Sequence, residues 1–174
     1  KIRDIIGRIA AIRSMLAIPK NDIAAMLEQS RKALEFLHPN NLPVRTATTW
    51  AMGYAYHLQG DKTSARDYYT ETRAISEASG NIMFNIAATS SLGALQEADN
   101  HLYLASEMYQ RVLQLAGNPP LPHVNGAYLG LAQIFYEWND INRAIEYGLQ
   151  GIQLGLQIAS IDMPASAWTF LARV

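Results

Sequence analysis

The sequence predicts an all-α protein, a right-handed superhelix of antiparallel helical hairpins, and three observations carry that expectation. Ala, Leu, Gln, Glu and Arg fill long segments with apolar residues at helical spacing, and nothing reads as a strand. Short runs of turn and capping residues part these segments, which makes successive helices antiparallel neighbours. Small residues recur at fixed places every 39 or 40 residues.

Helices are expected near residues 2–18, 22–37, 43–58, 62–78, 82–98, 102–116, 123–138, 141–158 and 164–174. The first begins at once, because Lys1-Ile2-Arg3-Asp4-Ile5-Ile6 already has helical polarity, and Ile18-Pro19-Lys20-Asn21 stops it. His38-Pro39-Asn40-Asn41 ends the second, Gly60-Asp61 the third and Gly80-Asn81 the fourth. Asp99-Asn100, then Gly117-Asn118-Pro119-Pro120, then Asn139-Asp140 separate the next three, and Ser160 to Pro164 follows the eighth. Asp61, Asp99, Asp140 and Asp162 fall at these boundaries, where a short carboxylate can accept the free amides of a helix start. The run ending Leu171-Ala172-Arg173-Val174 is still apolar-periodic and there is no initiator methionine, so both ends look cut from a longer polypeptide.

The repeat is a hairpin of about 40 residues. Ala25, Ala65, Ala105 and Ala144 lie 40, 40 and 39 residues apart, each early in the second helix of a pair. Twelve residues before the last three are Gly53, Gly93 and Ala132, so small residues face each other across the hairpin and let the backbones approach. Tyr128-x-x-Leu131-Ala132 and Trp168-x-x-Leu171-Ala172 share a spacing that Thr49-x-x-Met52-Gly53 and Thr89-x-x-Leu92-Gly93 vary. Tyr56 and Phe135 follow the small residue by three, and Tyr69 and Tyr109 follow the alanine by four, as large plugs beside small holes. The pattern departs at Arg13, at Gln96 in place of an aromatic, and at Gly148 where a tyrosine plug is expected.

These residues resemble tetratricopeptide hairpins of the longer variety found in the sensor region of MalT-like transcription activators, the large ATP-binding LuxR class. The phrases Tyr54-x-x-His57-Leu58-Gln59-Gly60-Asp61 to Ala65, Leu113-x-x-Ala116-Gly117-Asn118-Pro119-Pro120-Leu121-Pro122 and Leu131-Ala132-Gln133-Ile134-Phe135-Tyr136-Glu137-Trp138-Asn139-Asp140 carry the resemblance, which covers nearly the whole chain. It implies one repeat domain over 1–174, about four hairpins and the start of a fifth. It also implies that ATP binding and DNA binding belong to separate domains on either side.

Composition narrows the chemistry. With 49% hydrophobic and 17% charged residues, the chain is too apolar to stay disordered. Fourteen Lys and Arg balance fifteen Asp and Glu for a net charge of -1, without the basic excess of a nucleic-acid surface, so no direct nucleic-acid contact is expected. No cysteine is present, which removes disulfides, thiolate nucleophiles and Cys-ligated metals. His38, His57, His101 and His123 are scattered with no His-x-x-x-His pair, so no metal is expected. No phosphate loop, dinucleotide fingerprint or Gly-x-Ser-x-Gly elbow occurs, and neither catalysis nor a cofactor is expected. No apolar run is long enough to span a bilayer, so no membrane contact is expected either, and the chain reads as soluble and cytoplasmic.

Binding is the remaining function class. Tyr56, Tyr69, Tyr109, Tyr128, Phe135 and Trp168 are expected in the packing between helices. A second stripe on the first helices lies off those anchors: Trp50, Tyr54 and His57, then Ser90, Ala94 and Glu97, then Leu129, Gln133, Tyr136 and Glu137, then Thr169 and Arg173. Stacked first helices would set this stripe along a concave surface. Flat rings provide contact area at small entropy cost and the polar tips orient a ligand. Trp50, Tyr54, His57, Glu97, Gln133, Tyr136, Glu137 and Arg173 are therefore the candidate groove residues, with Tyr54 and Tyr136 foremost. The partner expected is a small-molecule inducer or a protein or peptide, beside the adjacent domains of the parent chain. A non-catalytic sensor region of a bacterial transcriptional regulator is the leading reading, and a general protein-interaction scaffold unrelated to transcription is the alternative.

Overall fold

The computed structural model describes residues 2–158, and these residues form eight α-helices, two 3-10 turns and no strand. The helices are α1 (Ile2–Ala17), α2 (Ile23–Phe36), α3 (Leu42–Gln59), α4 (Lys62–Ser79), α5 (Ile82–Ala98), α6 (Leu102–Ala116), α7 (Asn125–Glu137) and α8 (Ile141–Ile158). All eight fall where the sequence predicts them. The ninth, near 164–174, lies outside the described residues, as do Asp162, Trp168, Thr169 and Arg173.

Within each hairpin the turn has one construction. Asn21, Gly60, Asn100 and Asn139 each take a left-handed backbone, with φ between 51° and 81°. Glycine and asparagine tolerate that region where other residues meet their own carbonyl. The next residue starts the second helix. Asp22 accepts the Ala25 N–H, Asp61 accepts the Ser64 N–H and hydroxyl, and Asp140 accepts the Arg143 N–H. Before α6 the corresponding position is held by His101, and the Asp99 N–H bonds the Leu95 carbonyl at the end of α5.

These turns set a register that differs from the expectation in the first hairpin. Ala25 is half-buried and Arg13 exposed, whereas Met26 and Ser14, one residue later, are fully buried. The reason is that Asp22, 39 residues before Asp61, starts α2. Ser14 and Ser30 share a hydroxyl hydrogen bond of 2.7 Å where Gly53 meets Tyr69 in the second hairpin. The polar pair at this buried crossing is satisfied, as buried hydroxyls require.

By packing, the chain divides into two units, Lys1–Ala88 and Thr89–Val174. In the first, α1 packs on α2, α2 on α3 and α3 on α4. Its core holds Ala17, Met26, Leu27, Met52 and Ala55, with Ala10, Ala11, Ala33 and Leu37 in a second cluster. Threonines occupy several core positions: Thr46, Thr48 and Thr49 return their hydroxyls to their own helix, and Thr72 donates across to Thr49 at 2.9 Å. In the second unit α6 packs on α7 and α7 on α8, around Tyr109, Val112, Leu131, Ile134 and Phe135.

Large plugs beside small holes are present in both units. A β-carbon on Gly53 would stand 2.7 Å from the Tyr69 ring, and one on Gly93 would stand 2.9 Å from the Tyr109 ring. Gly148 is buried, and the ring expected there comes from its neighbour: Tyr147 packs on Phe135 at 5.2 Å and on Tyr128 at 5.9 Å between centroids. Gln96, the other departure, faces His101 across its turn at 3.0 Å.

Candidate functional site

The first-helix stripe is set apart by its exposure. Trp50, Tyr54, His57, Ser90, Ala94, Glu97, Leu129, Gln133 and Tyr136 are all half-buried, and Glu137 is exposed. Helical geometry accounts for this: each first helix turns one flank into its own hairpin and another toward a neighbouring helix, leaving a strip between them.

In the first unit the strip is aromatic. Trp50 and Tyr54, one turn apart on α3, stack with centroids 5.4 Å apart and planes within 4° of parallel. Phe84 at the start of α5 leans on Trp50 at 6.2 Å. Tyr54 also rests on the core cluster around Met52 and Ala55, so the platform has a firm base. The Trp50 indole N–H is buried and has no hydrogen-bond partner among the described residues. His57, one turn further, meets the Tyr69 ring edge-on at 6.3 Å. Burial, and then the charge of Lys62, hold its pKa below the usual histidine value, so the ring is neutral at neutral pH.

In the second unit the strip is polar. Glu97 accepts a 2.7 Å hydrogen bond from the Tyr109 hydroxyl. Burial pushes the Glu97 carboxyl above its usual range although that bond opposes the shift, and burial with the nearby Glu97 charge pushes the Tyr109 phenol far up. On α7 the Gln133 amide donates to Glu137 at 2.9 Å, with Tyr136 beside them.

The structure thus brings Trp50 together with Tyr54 in the first unit and Gln133 together with Glu137 in the second, while His57 meets Tyr69 and Glu97 meets Tyr109. Arg173 lies outside the described residues. Sequence reasoning missed Phe84, which sits on the platform from the next hairpin, and the second role of Tyr109, which is both a packing plug and the donor to Glu97. A signal for the latter existed, because Tyr69 and Tyr109 each follow the strip residue they touch, His57 and Glu97, by twelve positions.

Reasoning from the first-helix stripe also left out a cleft of about 580 Å³ in the second unit. Pro119, Pro120 and Tyr128 line it together with Gln150, Gln153 and Gln157 of α8. Tyr128, expected purely in packing, thus has a face on this cleft. Among the described residues no cluster of three or more acidic or histidine side chains could hold a metal ion, and no helix is long and apolar enough to cross a membrane.

The hairpin register, the small-residue crossings and the half-buried strip define a tetratricopeptide-like helical repeat protein. A model of the MalT-like TPR region matches residues 7–174, and the chain belongs to that family. Among solved structures, BtubC (BKLC) from P. vanneervenii superposes with a TM-score of 0.71 at 15% identity, over 94% of this chain and 69% of that one. The MamA protein superposes with a TM-score of 0.50 at 14% identity, over 91% of this chain and 97% of that one. At these identities the likeness is one of fold. No curated protein matches the sequence.

Proposed function

We propose that this chain is a non-catalytic sensor region of a bacterial transcriptional regulator of the LuxR class, working in the cytoplasm, and that an inducer or a regulatory protein binds its half-buried strip. Membership of the MalT-like TPR family supports the setting. The observation that carries the binding role is the half-buried aromatic platform of Trp50, Tyr54 and Phe84. Sugars and peptides both present acceptors beside apolar faces that lie flat on rings. Binding switches the parent protein only where its affinity differs between the resting and active states.

Calorimetric titration of the chain with oligosaccharides and peptides tests the role. Tyr54→Ala removes one ring of the stacked pair, so it should weaken a detected ligand by about tenfold, the worth of roughly 1.4 kcal/mol of ring contact. Unchanged affinity in Tyr54→Ala and in Tyr136→Ala, with the fold intact, would refute the assignment of the strip. An open reading frame with neither a phosphate-binding loop upstream nor a helix-turn-helix downstream would refute the regulator setting.

A further inference from the structure

The α8 helix carries three glutamines on one flank. Gln150, Gln153 and Gln157 follow one another at helical spacing, are exposed, and line the cleft of about 580 Å³ with Tyr128, Pro119 and Pro120. Leu154 is buried and lines it as well. Among the described residues of the lining none is charged.

The repeat register shows that the following hairpin leaves this flank of a second helix open. Counting back 39 residues from Gln150 and Gln153 gives Arg111 and Gln114 on α6, a further 40 gives Glu71 and Ala74 on α4, and a further 39 gives Lys32 and Glu35 on α2. All six are exposed. Arg111 and Gln114 stay so with α7 and α8 packed beyond them, and Lys32 and Glu35 stay so with α3 and α4 in place. In each earlier repeat at least one of the two positions is charged, as suits a solvated flank, whereas on α8 both are glutamine.

The loop that shares the cleft is also particular to this repeat. Eight residues, Gly117 to Val124, join α6 to α7, where five join α2 to α3 and two join α4 to α5. The 3-10 turn that ends this loop packs on α8, and the added length places Pro119 and Pro120 in one cleft with the glutamines. Two glycines of α8 let α7 approach closely: a β-carbon on Gly151 would stand 3.1 Å from Tyr128, and one on Gly155 would stand 3.2 Å from Asn125.

This lining selects a ligand chemistry. A charged ligand would lose hydration there without gaining a counter-charge. A side-chain amide offers an N–H and a C=O, the same two groups a peptide unit presents, so each glutamine can pair with one peptide group. At 1.5 Å of rise per residue the three glutamines extend over about 10 Å of α8. About three residues of extended chain cover that length. Tyr128 and the prolines add flat apolar faces on which a ligand side chain can lie. The volume falls within the range of about 300–1,000 Å³ that ligand pockets occupy.

We propose that this cleft is a second binding site, sharing no residue with the first-helix strip, for a short uncharged stretch of extended peptide. Gln150, Gln153 and Gln157 pair with its main-chain amides, and Tyr128 with Pro119 and Pro120 holds one of its apolar side chains.

Titration of the isotope-labelled chain with a pool of capped hexapeptides built from uncharged residues tests the proposal, with NMR of the glutamine side-chain amides as the readout. The same pool carrying one Asp or Lys per peptide, and neutral oligosaccharides, are the comparison probes. The uncharged pool should shift the side-chain signals of Gln150, Gln153 and Gln157, and the comparison probes should shift them far less. Gln153→Leu and Gln153→Glu, both at an exposed position, remove the amide and should weaken the uncharged peptides by about tenfold. Gln114→Glu makes the same charge change one repeat earlier, outside the cleft, and should leave the affinity as it is. Unmoved glutamine signals with the uncharged pool overturn the proposal. So does an equal or larger response to charged peptides or to oligosaccharides, undiminished binding in both Gln153 variants, or an equal loss in Gln114→Glu.

Discussion

Tyr109 is held between two glycines. Its ring lies so close that a β-carbon on Gly93 of α5 would stand 2.9 Å from it, and one on Gly130 of α7 would overlap it. The ring is buried and cannot retreat, so Gly130→Ala should destabilise the protein by about 1–3 kcal/mol, the usual cost of overpacking, as measured by urea unfolding. The hydroxyl of the same residue holds Glu97, which gives the strip a pH response. The raised folded pKa of Glu97 makes its contribution fullest below the unfolded value near 4.5 and lost as pH rises through the folded value. His57 has the opposite sense: its lowered folded pKa makes its contribution present above the unfolded value near 6.5 and lost as pH falls through the folded value. Thermal melts across that range should therefore show Glu97→Gln and His57→Gln shifting the pH slope of stability in opposite directions. Equal slopes in all three proteins would mean that neither environment persists in solution.

At the scale of the element, the hairpin turn is one device used four times. Asn21, Gly60, Asn100 and Asn139 hold the left-handed position, and Asp22, Asp61, His101 and Asp140 follow them. Asparagine already occupies three of the four sites, so Gly60→Asn should change stability by no more than a few tenths of a kcal/mol, whereas Gly60→Ala should cost roughly 1–2 kcal/mol from the clash of its β-carbon. Chemical denaturation of the two variants compares them directly. The same device explains the one-residue error in the first hairpin. Ala25 satisfies a 40-residue spacing, but spacing alone does not say which of Asn21 and Asp22 bends the chain and which caps it. The Asp22 carboxylate, bonded to the Ala25 N–H, decides that Met26 turns inward.

Across the molecule, protection should follow how many faces of a helix are covered. The α1 helix has an uncovered aliphatic face, while α3 has buried residues from Thr46 to Ala55. Hydrogen exchange should be faster along α1 than along the middle of α3, since sparsely packed elements open locally first.

Helix number, helix limits, the repeat period and the packing role of Tyr69, Tyr109 and Phe135 were legible because they depend on local rules: periodicity, turn residues and small-to-large pairing along the chain. Trp50, Tyr54, His57, Glu97, Gln133 and Tyr136 were legible as a strip for the same reason, since one helix face follows from 3.6 residues per turn. What the sequence did not yield were contacts between elements. The Tyr109 hydroxyl on Glu97, Phe84 on Trp50, Tyr147 serving in place of a residue at 148, the Thr49–Thr72 bond and the Pro119–Tyr128 cleft all join separate helices or a helix and a loop. Such pairings depend on crossing angle and on rotation about each helix axis to within a fraction of a turn. Those are settled by how all the side chains fill the space between helices together, so tertiary packing alone decided them.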